Sequence, residues 1–93
     1  MMRHWMVLLT AGAVIAGASA EALAADKEDY YRDYAGMAVA AARNNIHWNC
    51  GYRGPRYTTS WQAHFVWCMA VDRAASDSER EIRGHEMRAC NRG

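Results

Sequence analysis

SWQAHFVWCMAVDRAA, residues 60–75, decides the fold. Ser60 is a good N-cap. At 3.6 residues per turn Trp61, His64, Phe65, Cys68, Val71 and Ala75 share one face, with Trp67 on its edge, while Gln62, Val66 and Arg73 point elsewhere. The spacing predicts a helix from Ser60 to about Ala75 that buries rings and a sulfur. Asp72 falls on the same face, and a buried carboxylate needs a partner. Arg53 and Arg56, in the segment just upstream, are the nearest candidates, so an Asp72–Arg56 ion pair is expected.

The stretch from Asp26 to about Asn45 reads as a first helix. Asp26, Glu28 and Asp29 suit the positive end of its dipole. Tyr30, Tyr34, Met37 and Ala41 form one stripe, with Tyr31, Ala35, Ala38 and Ala42 beside it. The alanines combine high helix propensity with small side chains, so another helix can approach closely. Residues 46–59 read as a loop, punctuated by Gly51 and Gly54-Pro55. Trp48, Tyr52, Arg53, Arg56 and Tyr57 crowd it, and with rings so dense some are expected to fold back on the helices. Downstream, Ser76-Asp77-Ser78 resembles a helix start, with Ser76 three residues ahead of Glu79 as a capping box. A third, mostly polar helix then runs from Glu79 to about Cys90, with Glu79 and Arg83 placed to pair at i, i+4. Helices two and three either join as one rod or fold back at Ser76 to Ser78.

The first residues bear on location. Met1, Met2, Arg3 and His4 form a basic start, Met6 to Ala16 an apolar run, and Ala18-Ser19-Ala20 or Ala22-Leu23-Ala24 a small-residue cleavage pattern. The run from Trp5 to Ala20 is shorter than the ~20 apolar residues needed to span a bilayer. The expectation is a signal peptide over residues 1–24 and a small exported domain over residues 25–93, periplasmic or secreted and without stable membrane insertion. That domain has 69 residues, one domain at most, with a core that needs a covalent staple. Eleven basic and ten acidic residues give a net charge of +1. No field of that size argues for nucleic acid or an anionic membrane.

Cys50, Cys68 and Cys90 all lie in the exported part, where a disulfide is the default. On one straight helix Cys68 and Cys90 stand about 33 Å apart and cannot bond. Cys50 precedes the helix by enough chain to double back to Cys68. A Cys50–Cys68 bond therefore works in either topology and is expected to contribute about 3 kcal/mol. It leaves Cys90 as a free thiol, with a dimer through Cys90 as one outcome.

The run Cys50-Gly51-Tyr52-Arg53-Gly54-Pro55-Arg56-Tyr57, followed by His64-Phe65-Val66-Trp67-Cys68 and a terminal Cys90, resembles a group of small secreted bacterial proteins of uncharacterised function. The resemblance covers most of the exported part. It supports the Cys50–Cys68 assignment and implies a further cysteine in relatives near Tyr30 and Tyr31, paired with the last one. No activity, substrate or ligand comes with it.

Catalytic and metal chemistry find little purchase. His64 and Cys68 are four apart, a metal-ligand spacing, but no C-x-x-C or H-x-x-x-H pair accompanies them, so His64 reads as a core histidine. No c-type haem motif, G-x-S-x-G, H-E-x-x-H or phosphate-binding loop is present. Glu79, Glu81 and Glu86 read as a solvated face. No cofactor, metal or enzymatic activity is expected. The loop from Trp48 to Tyr57 is the best binding candidate: Trp48, Tyr52 and Tyr57 can stack, while Arg53 and Arg56 can meet carboxylates of an envelope glycan, peptide or protein. Against this stands a purely structural role, with the rings filling the gap between helices. The sequence thus implies an all-α domain of two or three helices, stapled by one disulfide, serving as a non-enzymatic binding or structural component of the cell envelope. The alternative is a metal- or redox-responsive protein using Cys90, His64 and His85.

Overall fold

The structure is a computed structural model and describes residues 19–92. Most of the expected export segment lies outside the described residues. The described residues form three α-helices and one 3-10 turn, with no strand among them: α1 (Ala20–His47), the turn Pro55–Tyr57, α2 (Trp61–Ala70) and α3 (Arg73–Arg92). No helix among them is long and apolar enough to cross a membrane.

Helix α1 begins upstream of the expected Asp26. Ser19 caps it, its Oγ accepting from Ala22 N–H at 3.1 Å. Its first ten residues are exposed, and the boundary expected after Ala24 falls within it. From Tyr34 onward the alanine seam is buried: Ala35, Ala38, Ala41 and Ala42, with Tyr34 and Val39. The end of α1 lies past the expected Asn45 and is set by Asn49. Asn49 takes a left-handed φ of 53°, its N–H donates to Ile46 C=O, and Cys50 N–H donates to Asn45 C=O. This is the paired-bond helix stop in which Asn substitutes for glycine, and it delivers Cys50 at the point where the chain turns.

The loop is ordered by the Asn45 side chain. Its Nδ2 donates to Tyr52 C=O at 2.9 Å and its Oδ1 accepts from Tyr52 N–H at 3.0 Å. Gly54, at φ 95°, admits a backbone turn that a Cβ would strain, and Tyr57 N–H closes the 3-10 turn on Gly54 C=O. The Tyr52 and Tyr57 rings then stack, 5.1 Å apart, with Tyr57 against Ala41 and Ala42. Ser60 caps α2 as expected, accepting from Ala63 N–H at 3.2 Å.

Helix α2 stops at Ala70, five residues before the expected end. Val71 is extended, and Asp72 Oδ1 accepts from Ala75 N–H at 2.9 Å, so α3 starts at Arg73. The fold-back alternative holds, with its break at Val71-Asp72. Ser76 is no cap: it is fully buried, donates to Arg73 C=O at 3.1 Å and hydrogen-bonds Tyr30 Oη. Helix α3 climbs beside α1 in the same direction. Tyr30 meets Asp77, Asp33 meets Arg80, Tyr34 meets Arg83, and Cys50 meets Cys90.

That direction corrects the cysteine assignment. The disulfide joins Cys50 to Cys90, with Cα atoms 5.7 Å apart, and the free thiol is Cys68. Neither the Cys50–Cys68 bond nor the free Cys90 is formed. Because α3 turns back at Asp72, its far end returns to the end of α1, whereas Cys68 points into the seam against Tyr34 and Ala38. Tyr30 and Tyr31 pack against this Cys68 cluster, so the position where the resemblance places a further cysteine lies beside Cys68 and not beside Cys90. A dimer through Cys90 has no thiol to use, and the thiol left over is buried.

Candidate functional site

The five loop residues proposed for binding part company. Tyr52 and Tyr57 turn inward as a stacked pair, Trp48 and Arg53 stay on the surface, and Arg56 reaches across to α3. The expected Asp72–Arg56 pair does not form. Asp72 is spent on capping α3, and the partners of Arg56 are Glu79, through Nε, and Glu86, through Nη2 at 3.3 Å. The Glu79 hydrogen bond, ahead of the cost of burial, holds the Arg56 guanidinium above its ordinary range. Tyr57 Oη donates to the same Glu86 carboxylate at 2.6 Å, and burial, then that bond, pushes its phenol up. Glu79 and Glu86 are therefore half-buried binding partners and not a solvated face. Only Glu81 is exposed as expected.

Arg83 completes the arrangement and is the residue that sequence reasoning missed. Glu79 does approach it, at 3.9 Å, as the i, i+4 spacing predicts. Yet the side chain is 1% exposed, among the most buried in the chain. Its Nη1 donates to Tyr34 Oη at 3.2 Å and its Nη2 to Arg56 C=O at 2.8 Å. The guanidinium also faces the Tyr34 and Tyr57 rings at 5.6 and 5.8 Å. Its Nε is buried without a hydrogen-bond partner among the described residues. A readable signal existed: Ser76, Glu79, Arg83, Glu86 or Met87, and Cys90 recur at three and four residues, an inward stripe made of polar groups.

These residues open onto a groove of about 410 Å³ between the turn, α2 and α3, bordered by Tyr34, Arg56, His64, Trp67, Glu79 and Arg83. Trp67 stacks on Tyr34 at 5.6 Å with 28° between the rings and remains 37% exposed. His64 is a core histidine: buried, it donates from Nε2 to Thr58 C=O at 2.7 Å. Burial lowers its pKa, partly offset by that bond, so the neutral ring is favoured. A larger concavity of about 550 Å³ runs along the outer side of α3, but one helix alone lines it. Of the charged groups bordering the groove, Arg56 pairs with Glu79 and with Glu86 outside the lining, and Arg83 faces Glu79.

The other polar site is the seam around Cys68. Burial pushes its thiol up, which disfavours the reactive thiolate. Tyr30 beside it is raised for the same leading reason, and the Arg73 guanidinium lies 3.9 Å from its ring centre. Among the described residues no three His, Cys, Asp or Glu side chains come together as a metal set. His47 and His85 are exposed and apart from His64, and Cys90 is bonded to Cys50.

Fold and site together define a small three-helix domain, stapled at one end by a disulfide and grooved where a loop, a short apolar helix and a polar helix meet. No family model, curated protein or solved structure matches the chain.

Proposed function

We propose that this chain is a small exported, non-enzymatic binding component of the bacterial cell envelope. The observation that carries the reading is the groove of about 410 Å³. It has the size of a small-ligand site, a partly exposed tryptophan, and a few converging polar groups held by neighbours. Arg83 is locked by Tyr34 and by the Arg56 carbonyl, so the groove is preorganised and loses little entropy on occupation. Export is supported by the N-terminal pattern and by the intramolecular disulfide, which persists in oxidising compartments. The redox- or metal-responsive alternative draws no support from Cys90, whose sulfur is engaged.

Residue-resolved NMR of the oxidised protein tests the reading. Adding fractionated envelope extract is expected to shift the Trp67 indole and Arg56 Nε signals while leaving Trp48 in place. Shifts confined to Trp48 and Arg53 return binding to the loop tip, and no shift with any fraction removes the binding role.

A further inference from the structure

We infer that the groove takes an uncharged saccharide unit, seated on Trp67 and hydrogen-bonded by the Arg56, Glu79 and Arg83 side chains that border it. The inference rests on the binding role proposed above and names its ligand class. Three observations carry it. First, each guanidinium of the wall is already engaged: Arg56 pairs with Glu79 and with Glu86, which lies outside the lining, and Arg83 faces Glu79. An anionic ligand has to displace Glu79 or Glu86, and a cationic one Arg56, each at the cost of a desolvated, unpaired charge. A ligand of hydroxyls meets donors and acceptors side by side and displaces neither.

Second, Trp67 offers an aromatic surface fixed by its stack on the fully buried Tyr34. A pyranose ring has one face of C–H bonds that covers such a surface and an equatorial rim of hydroxyls that does not. That division of apolar face from polar edge matches a groove with a ring on one element and charged groups on another. Third, Arg83 Nε is a buried donor lacking an acceptor in the wall itself. Such a group carries an unrepaid desolvation cost. Arg83 borders the groove, so a small shift of its side chain that admits a hydroxyl oxygen supplies what Nε lacks without introducing charge.

The test uses the oxidised protein, with chitotetraose and cellotetraose as neutral probes, tri-galacturonate as an acidic saccharide, and trialanine as a peptide. The two neutral probes are expected to move the Trp67 indole and the Arg56 and Arg83 Nε–H signals at millimolar concentration. Trp67→Ala is expected to weaken that response at least about tenfold, and Trp61→Ala to leave it unchanged. Should Trp67→Ala lose its fold, Trp67→Phe keeps a ring and is expected to weaken the response less. Failure of both neutral saccharides to shift these signals overturns the inference. Where trialanine or tri-galacturonate shifts them instead, the saccharide assignment falls while the binding role survives. Silence from every probe and from envelope extract ends both.

Discussion

Helices α2 and α3 pack on the same helix by opposite means. Helix α2 has ten residues and no charged side chain, and it is held by burying His64 against the Thr58 carbonyl and Cys68 against Tyr34 and Ala38. Helix α3 is twice as long and strongly charged, and among its described side chains it buries only Ser76 and Arg83. What α3 lacks in apolar contact is supplied by the Cys50–Cys90 bond, by the Arg56–Glu79–Glu86 pairs and by Arg83 itself. The lesson concerns where a small domain places its covalent link. It sits at the end of the helix least able to hold itself by hydrophobic burial.

The contrast is broken most severely by removing the link. Cys90→Ala opens a loop of 40 residues and is expected to cost about 4 kcal/mol in urea denaturation, with α3 signals lost before those of α2. A cost below about 1 kcal/mol would mean that the polar contacts alone secure α3. Next comes Arg83→Met, which nearly keeps the volume but strands Tyr34 Oη and the Arg56 carbonyl; a loss of about 3 kcal/mol is expected in the same assay. Asp72→Ala removes the cap that separates the two helices and is expected to cost about 1 kcal/mol, with Asp72→Asn restoring most of it.

The smallest effect sharpens the α2 side. The His64 pKa is lowered in the folded state, so below pH 6.5 the unfolded chain binds the proton more readily than the native one. The stability tied to neutral His64 is thus fully present above that pH and is lost as pH falls toward the folded pKa. A thermal midpoint that declines between about pH 7.5 and about pH 5.5, and declines less in His64→Gln, is the expected result. Equal slopes in the two proteins would assign the acid sensitivity elsewhere.

Local features were legible because neighbours in sequence decide them. Ser60 as cap, the alanine seam and the Gly54-Pro55 turn need only spacing and side-chain chemistry. The break between α2 and α3 was harder, because Asp72 and Ser76 are both capping residues and only the packed structure selects one. The disulfide followed from that choice: Cys68 lies within reach of Cys50 along the chain, and Cys90 is brought close only by the reversal at Asp72. Arg83 lay on a readable inward stripe, but its partners were not legible. One of its acceptors is the Arg56 backbone carbonyl, a group every residue possesses and no sequence marks.

The buried Cys68 sulfur has a consequence for oxidative maturation. Three sulfhydryls permit three different single cross-links, two of them wrong. Once α1 and α2 have docked, one of the three is withdrawn from any oxidant, and the two that remain have no choice but each other. The seam thereby acts as a chaperone in cis, guarding the fidelity of a bond it never forms.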